Sequence, residues 1–146
     1  MLSRKAKYGL KAMIHLAQRA GEGPVLIEEV AAAEGIPRKF LELILLELKK
    51  KGLLHSRQGR GGGYQLGRDP ETIFMGDIVR ILDGPLAPVP CVSVTAYRRC
   101  EECAEERTCG VRLVMKEVRD SIAHILDTES LADVLARVER AKRGKR

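Results

Sequence analysis

Apolar residues recur at three- and four-residue intervals through most of the chain, and the breaks in that rhythm divide it into helices. Ala6, Leu10, Met13, Ile14 and Ala17 set out a helix over residues 3–20, with Arg4, Lys5, Lys7 and Lys11 elsewhere on its surface. Gly21-Glu22-Gly23-Pro24 ends it. Residues 25–27 then read as a short extended link into a second helix over 28–34, whose Ala31-Ala32-Ala33 run forms helix readily and is small enough for close packing. Gly35 is expected to break this helix in the left-handed conformation, letting Ile36 fold back into the core before Pro37 opens a third helix over 38–51. Phe40, Leu41, Ile44, Leu45 and Leu48 give the third helix one apolar face, Lys49-Lys50-Lys51 suit the negative end of its dipole, and Gly52 closes it.

Residues 53–56 and 64–66 have the character of two short strands, joined across Arg57-Gln58-Gly59-Arg60-Gly61-Gly62-Gly63. Asp69-Pro70 starts a turn, and Ile73, Met75, Ile78, Val79, Ile81 and Leu82 predict a short fourth helix ended by Asp83-Gly84-Pro85. The prolines at 85, 88 and 90 force an extended link. Beyond a cysteine-bearing loop, Val111, Val114, Met115, Val118, Ile122, Ile125 and Leu126 describe a long amphipathic helix, and such a helix needs a partner. Thr128 or Ser130 can cap a final helix through Leu131, Val134, Leu135 and Val138, with residues 140–146 expected as a disordered basic tail. The chain thus reads as residues 1–68, a connecting helix and Pro-rich link over 69–90, a loop over 91–109, and the last two helices with their tail over 110–146. The fold class is mainly α.

Charge sharpens this picture. Residues 1–68 hold thirteen Lys/Arg against six Asp/Glu, and the remainder thirteen against fourteen, so the excess of +6 belongs to the first half. Helix, turn, helix and a glycine-rich basic hairpin in series describe a winged helix-turn-helix, with the third helix entering the DNA major groove and the wing touching the backbone or minor groove. The glycine run is not a nucleotide-binding P-loop, because Tyr64-Gln65-Leu66 stands where Lys-Ser/Thr and a helix are needed. Arg38, Lys39 and Glu42 lie where base edges are read, with Arg suited to guanine and Glu to a cytosine amino group; Arg57 and Arg60 are the wing candidates. An aromatic content of 3% argues against a base-stacking surface. The long helix is best used as the contact between two copies, since helix-turn-helix proteins read two half-sites as two-fold dimers.

All four cysteines fall between Cys91 and Cys109, with Cys100 and Cys103 inside, and Glu101, Glu102, Glu105 and Glu106 surround them. The absence of a long apolar run and of a hydrophobic signal core points to a cytoplasmic protein with no membrane segment. In that reducing compartment clustered thiols read as metal ligands or a redox sensor rather than structural disulfides. The Cys100-x-x-Cys103 spacing also suits zinc. An enzyme is excluded on the pattern of its candidates, since His15, His55 and His124 are scattered and no thiol has an identifiable base.

Tyr8-Gly9-Leu10-Lys11-Ala12-Met13, Phe40-Leu41-Glu42, Leu48-Lys49-Lys50-Lys51-Gly52-Leu53 and Gly61-Gly62-Gly63-Tyr64-Gln65-Leu66 resemble the bacterial winged-helix repressors typified by IscR, NsrR and CymR, over nearly the whole length. The resemblance implies a homodimer over a palindromic double-stranded DNA operator, with crossed long helices and a cysteine loop before each. It also implies an iron-sulfur cluster in that loop, 2Fe-2S ahead of 4Fe-4S, or, as in CymR-like members, no cofactor and control by a partner protein; the cysteine spacing leaves zinc or a disulfide switch as the alternative. The family's spacing of its last two cysteines maps onto Cys103 and Cys109, while either Cys100 or Cys91 could complete the set, or all four could ligate. Lys7 and Arg112 stand where some relatives carry a further ligand, which favours an all-cysteine site. Leu43, Gln58 and Arg60 occupy family DNA-reading positions with altered residues, so an operator sequence does not carry over.

Overall fold

The computed structural model describes residues 2–144. Its helices are α1 (Arg4–Gln18), α2 (Ile27–Glu34), α3 (Arg38–Lys50), α4 (Met75–Asp83), α5 (Gly110–Thr128) and α6 (Leu131–Arg143), and its strands are β1 (Leu54–Arg57) and β2 (Gly63–Leu66). Ser3 fixes the start of α1, its hydroxyl oxygen accepting from the Ala6 amide at 3.0 Å. Gly35 does take the left-handed conformation, at φ 65° and ψ 39°, and the Ile36 amide donates to the Ala31 carbonyl, turning Ile36 into the core. Met13, Leu16, Leu41, Ile44, Leu45, Leu48, Leu54 and Ile78 are almost fully buried in that core. Tyr8 and Phe40 close one side of it edge to face, with ring centres 5.6 Å apart.

The strands pair antiparallel, with Leu54 opposite Leu66 and Arg57 opposite Gly63. Both strands and the first five helices lie within a residue or two of their expected spans. The link before α2 does more than connect: Val25 exchanges two backbone hydrogen bonds with Tyr64, at 2.7 and 2.8 Å, and so adds a one-residue bridge on the other side of β2. Gly63 makes this approach possible. Its φ is +138°, and a Cβ there would lie 2.2 Å from the Val25 carbonyl oxygen.

Two expectations change. Ile73 is not helical but extended and buried, between a 3-10 turn over Pro70–Thr72 and the start of α4 at Met75. The basic segment expected to be disordered is helical as far as Arg143, with Lys145 and Arg146 outside the described residues. The Ser130 hydroxyl accepts from the Asp133 amide while the Asp133 carboxylate accepts from the Ser130 amide, which starts α6 firmly, and Arg140, Lys142 and Arg143 suit the negative end of its dipole.

α6 returns to the first core. The Leu131 amide donates to the Ile73 carbonyl at 2.8 Å, the Met75 amide to the Glu129 carbonyl at 2.9 Å, and Leu131 is fully buried. The preceding α5 is different, for none of its residues is buried. Val111, Val114, Val118, Ile122 and Ile125 form an exposed apolar row along it. Its C-terminal end is tied to α4 by a two-pronged pair, Arg80 Nη1 to Asp127 Oδ1 at 2.7 Å and Arg80 Nη2 to Asp127 Oδ2 at 2.8 Å. That hydrogen bonding, with the Arg80 charge adding to it, holds the Asp127 carboxyl below the ordinary aspartate range against a smaller opposing effect of burial. A lowered folded-state pKa contributes stability that is present above the unfolded value and lost as pH falls through the folded one. Asp127→Asn should therefore destabilise the protein by about 0.5–1 kcal/mol at neutral pH, the pair being partly exposed. Urea unfolding at fixed protein concentration should show the difference from wild type shrinking below about pH 4; a difference constant down to pH 2 would contradict the assignment.

Candidate functional site

α3 buries Leu41, Ile44, Leu45 and Leu48 and turns Lys39, Glu42, Leu43 and Leu46 outward. Arg38, in its first turn, pairs with Glu28 of α2 at 2.8 Å and, more loosely, with Glu42 one turn on at 3.6 Å. The guanidinium is thus held at the flank of the helix. Tyr64 of β2 has its hydroxyl pKa raised first by burial and then by the Glu42 charge, which sets the base of the wing beside the outward face of α3. Arg57 ends β1, and Gln58 and Arg60 stand exposed on the turn beyond it. Sequence reading placed Tyr64 in the second strand but gave neither it nor Leu46 a role at this surface. The alternation within β2 could have drawn attention to Tyr64, whereas Leu46 differs from core leucines only by its phase on the helix.

The thiols come from three turns in succession. Cys91 lies in a 3-10 turn over Pro90–Val92, Cys100 and Cys103 in a bend closed by the Cys103 amide donating to the Cys100 carbonyl at 3.2 Å, and Cys109 directly before α5. The Arg98 amide donates to the Pro90 carbonyl at 3.2 Å, folding residues 90–98 back on themselves. As a result all four thiols line one cleft of about 780 Å³. Arg98, Arg99 and Arg112 line it too, against Glu101 and Glu102. Cys100 is exposed and the other three are half-buried. Desolvation is the first cause of a raised Cys103 pKa, followed by Cys109, with Glu106 and Cys100 adding and Arg99 opposing.

The donor set suits a thiophilic metal or cluster, with thiolates supplied by one chain and arginines to balance their charge. Arg112 fits the same role: its Nε is buried without a hydrogen-bond partner among the described residues. Those residues contain no group of three His, Cys, Asp or Glu side chains already gathered at ligating distance, so ligation would draw the three turns together. Arg98 and Arg99 entered this site unforeseen. The adjacent Arg98-Arg99 before Cys100 was the available signal.

A helix-turn-helix sharing one core with a two-stranded basic wing defines a DNA-binding winged-helix regulator. The profile of the Rrf2 family, described as an iron-dependent transcriptional regulator, matches residues 2–137, and the chain belongs to that family. An rrf2-like HTH-type transcriptional regulator of Rhodobacter capsulatus is 43% identical over 139 residues, covering 93% of each chain. Among solved structures, CymR of B. subtilis, the global cysteine regulator, superposes with a TM-score of 0.79 at 34% identity, covering 94% of this chain and 97% of that one. T. potens IscR superposes with a TM-score of 0.77 at 35% identity, covering 97% and 90%. The family is not enzymatic. Among the described residues no helix is long and apolar enough to cross a membrane.

Arg60, at the exposed tip, offers the simplest test of the wing. Arg60→Ala should weaken duplex binding across sequences and reduce the slope of log affinity against log salt by about one. A mobility shift at several salt concentrations measures both, and an unchanged slope would remove Arg60 from the contact surface.

Proposed function

We propose that the protein is a cytoplasmic, dimeric repressor that holds a palindromic operator and loosens or tightens its grip with the state of an iron-sulfur centre at the cysteine cleft. The observation that carries this reading is the convergence of all four thiols, from three separate turns, on one cleft that also includes the first turn of α5. Arg38, Lys39, Glu42 and Leu43 of α3 face the major groove, with Arg57, Gln58 and Arg60 of the wing on the backbone or minor groove. Cys91, Cys100, Cys103 and Cys109 ligate, with Arg98, Arg99 and Arg112 offsetting the charge of four thiolates. A bound 2Fe-2S centre, preferred here over 4Fe-4S, supplies one-electron redox chemistry. The chain's own part is to hold the thiolates, set their hydrogen bonds and couple their spacing to Cys109 at the head of α5.

The exposed row on α5 supports the dimer, because an uncovered stripe of five aliphatic side chains over four turns calls for an apolar partner, and a second copy supplies an identical one. Ile122→Glu places a charge in that row. It should convert a dimer to a monomer by light scattering after size exclusion and lower operator affinity more than about tenfold through loss of two-site binding. A variant that stays dimeric would move the interface elsewhere.

A second reading has its own support. The thiols are not gathered at ligating distance, and Cys100 and Cys103 share one hydrogen-bonded bend, which suits a zinc site or a cofactor-free disulfide switch under the control of oxidation or a partner protein, of the CymR kind. Anaerobic purification followed by visible absorption and iron, sulfide and zinc analysis separates the two. The cluster reading expects a coloured protein with equal iron and acid-labile sulfide, lost on Cys103→Ser; a colourless, iron-free protein carrying zinc or nothing would replace it with the second reading.

A further inference from the structure

The row of α3 farthest from the core runs Lys39, Leu43, Leu46, Lys50, spaced four, three and four residues apart and so aligned along one side of the helix. It has the spacing of the buried Leu41, Leu45 and Leu48, two positions out of phase. Leu43 is 62% exposed and Leu46 40% exposed. Polar residues flank this row, with Arg38 drawn toward Glu28 and Glu42 on one side. The outermost line of the helix is therefore apolar in its middle and cationic at both ends.

That order matches the section of a DNA groove. Phosphates at the rims suit Lys39 and Lys50, while the floor of the major groove offers one apolar group, the C5-methyl of thymine. A leucine pressed onto the floor at any other base covers donors or acceptors without replacing their hydrogen bonds, which costs affinity. Both effects favour the same base. We infer that Leu43 is a specificity-determining residue that reads a thymine methyl in each operator half-site, with Leu46 packed behind it. The inference rests on the operator-binding reading given above and adds the base that this chain selects.

The test uses the full chain, purified anaerobically, and a duplex selected by it from random sequence. Each thymine is replaced in turn by deoxyuridine, which removes the methyl and leaves every hydrogen-bonding group. At one symmetry-related position affinity should fall about fourfold per half-site, the effect of one apolar carbon returned to water, and about fifteenfold when both half-sites are changed. Leu43→Ala should bind the thymine duplex more weakly and lose discrimination at that position only, whereas Arg60→Ala should bind more weakly yet keep the full ratio. Leu43 is exposed, so its truncation leaves the core intact. Equal affinity for every deoxyuridine duplex, or an undiminished ratio in Leu43→Ala, would overturn the assignment while leaving operator binding standing. Failure to select any duplex at low salt would overturn the operator-binding reading and this inference together.

Discussion

The structure depends on the return of the chain at residues 129–131. The paired bonds from Met75 to Glu129 and from Leu131 to Ile73 bring the start of α6 onto the first core and fix the C-terminal end of α5 beside α4. Leu131 is buried among residues of the DNA-binding head, so the last helix stabilises the same core that positions α3. Ile73 has to be extended for this to happen, because a helical residue there would spend its carbonyl within the helix. The short 3-10 turn before it, capped by Asp69, makes the change of direction.

A similar economy governs the head. Lys5 of α1 reaches Glu47 of α3 at 2.7 Å, and Arg38 reaches Glu28 of α2, so the helix that faces outward is braced on two sides by ion pairs outside its apolar face. Such exposed pairs are each worth little to stability, but together they limit how α3 can roll on the core. The bridge between Val25 and Tyr64 does the same for the wing, linking its base to the segment that leads into α2.

The helices and the turn at Gly35 were legible because their signals are local: periodic apolar residues, a glycine past the last turn, a serine before the first. The wing was legible from its glycines, but its bridge to Val25 was not, since Val25 and Tyr64 are far apart in sequence and a single bridging residue has no pattern of its own. The tail was misread because alternating Lys and Arg look solvated whether or not they continue a helix, and what settles the matter is the cap at Ser130 together with the dipole at the other end. At the cysteines, spacing singled out the residues but not their meeting, which depends on the fold-back between Pro90 and Arg98. The part of Arg98 and Arg99 in the cleft was hidden for the same reason.

One further consequence lies in the length of α5. Nineteen residues at the usual rise make a rod of about 28 Å, fixed at one end by Asp127 and preceded at the other by Cys109. Cysteine cleft and core anchor therefore lie at opposite ends of one rod, whose length also packs against the Pro90–Val92 turn. A sideways movement of about 2 Å at Cys109 turns such a rod by only about 4° about its anchor. The arrangement gears displacement down: a shift of a few ångströms at the cysteine end is a rotation of a few degrees at the Asp127 end, on the scale at which packed helices can yield without breaking apart.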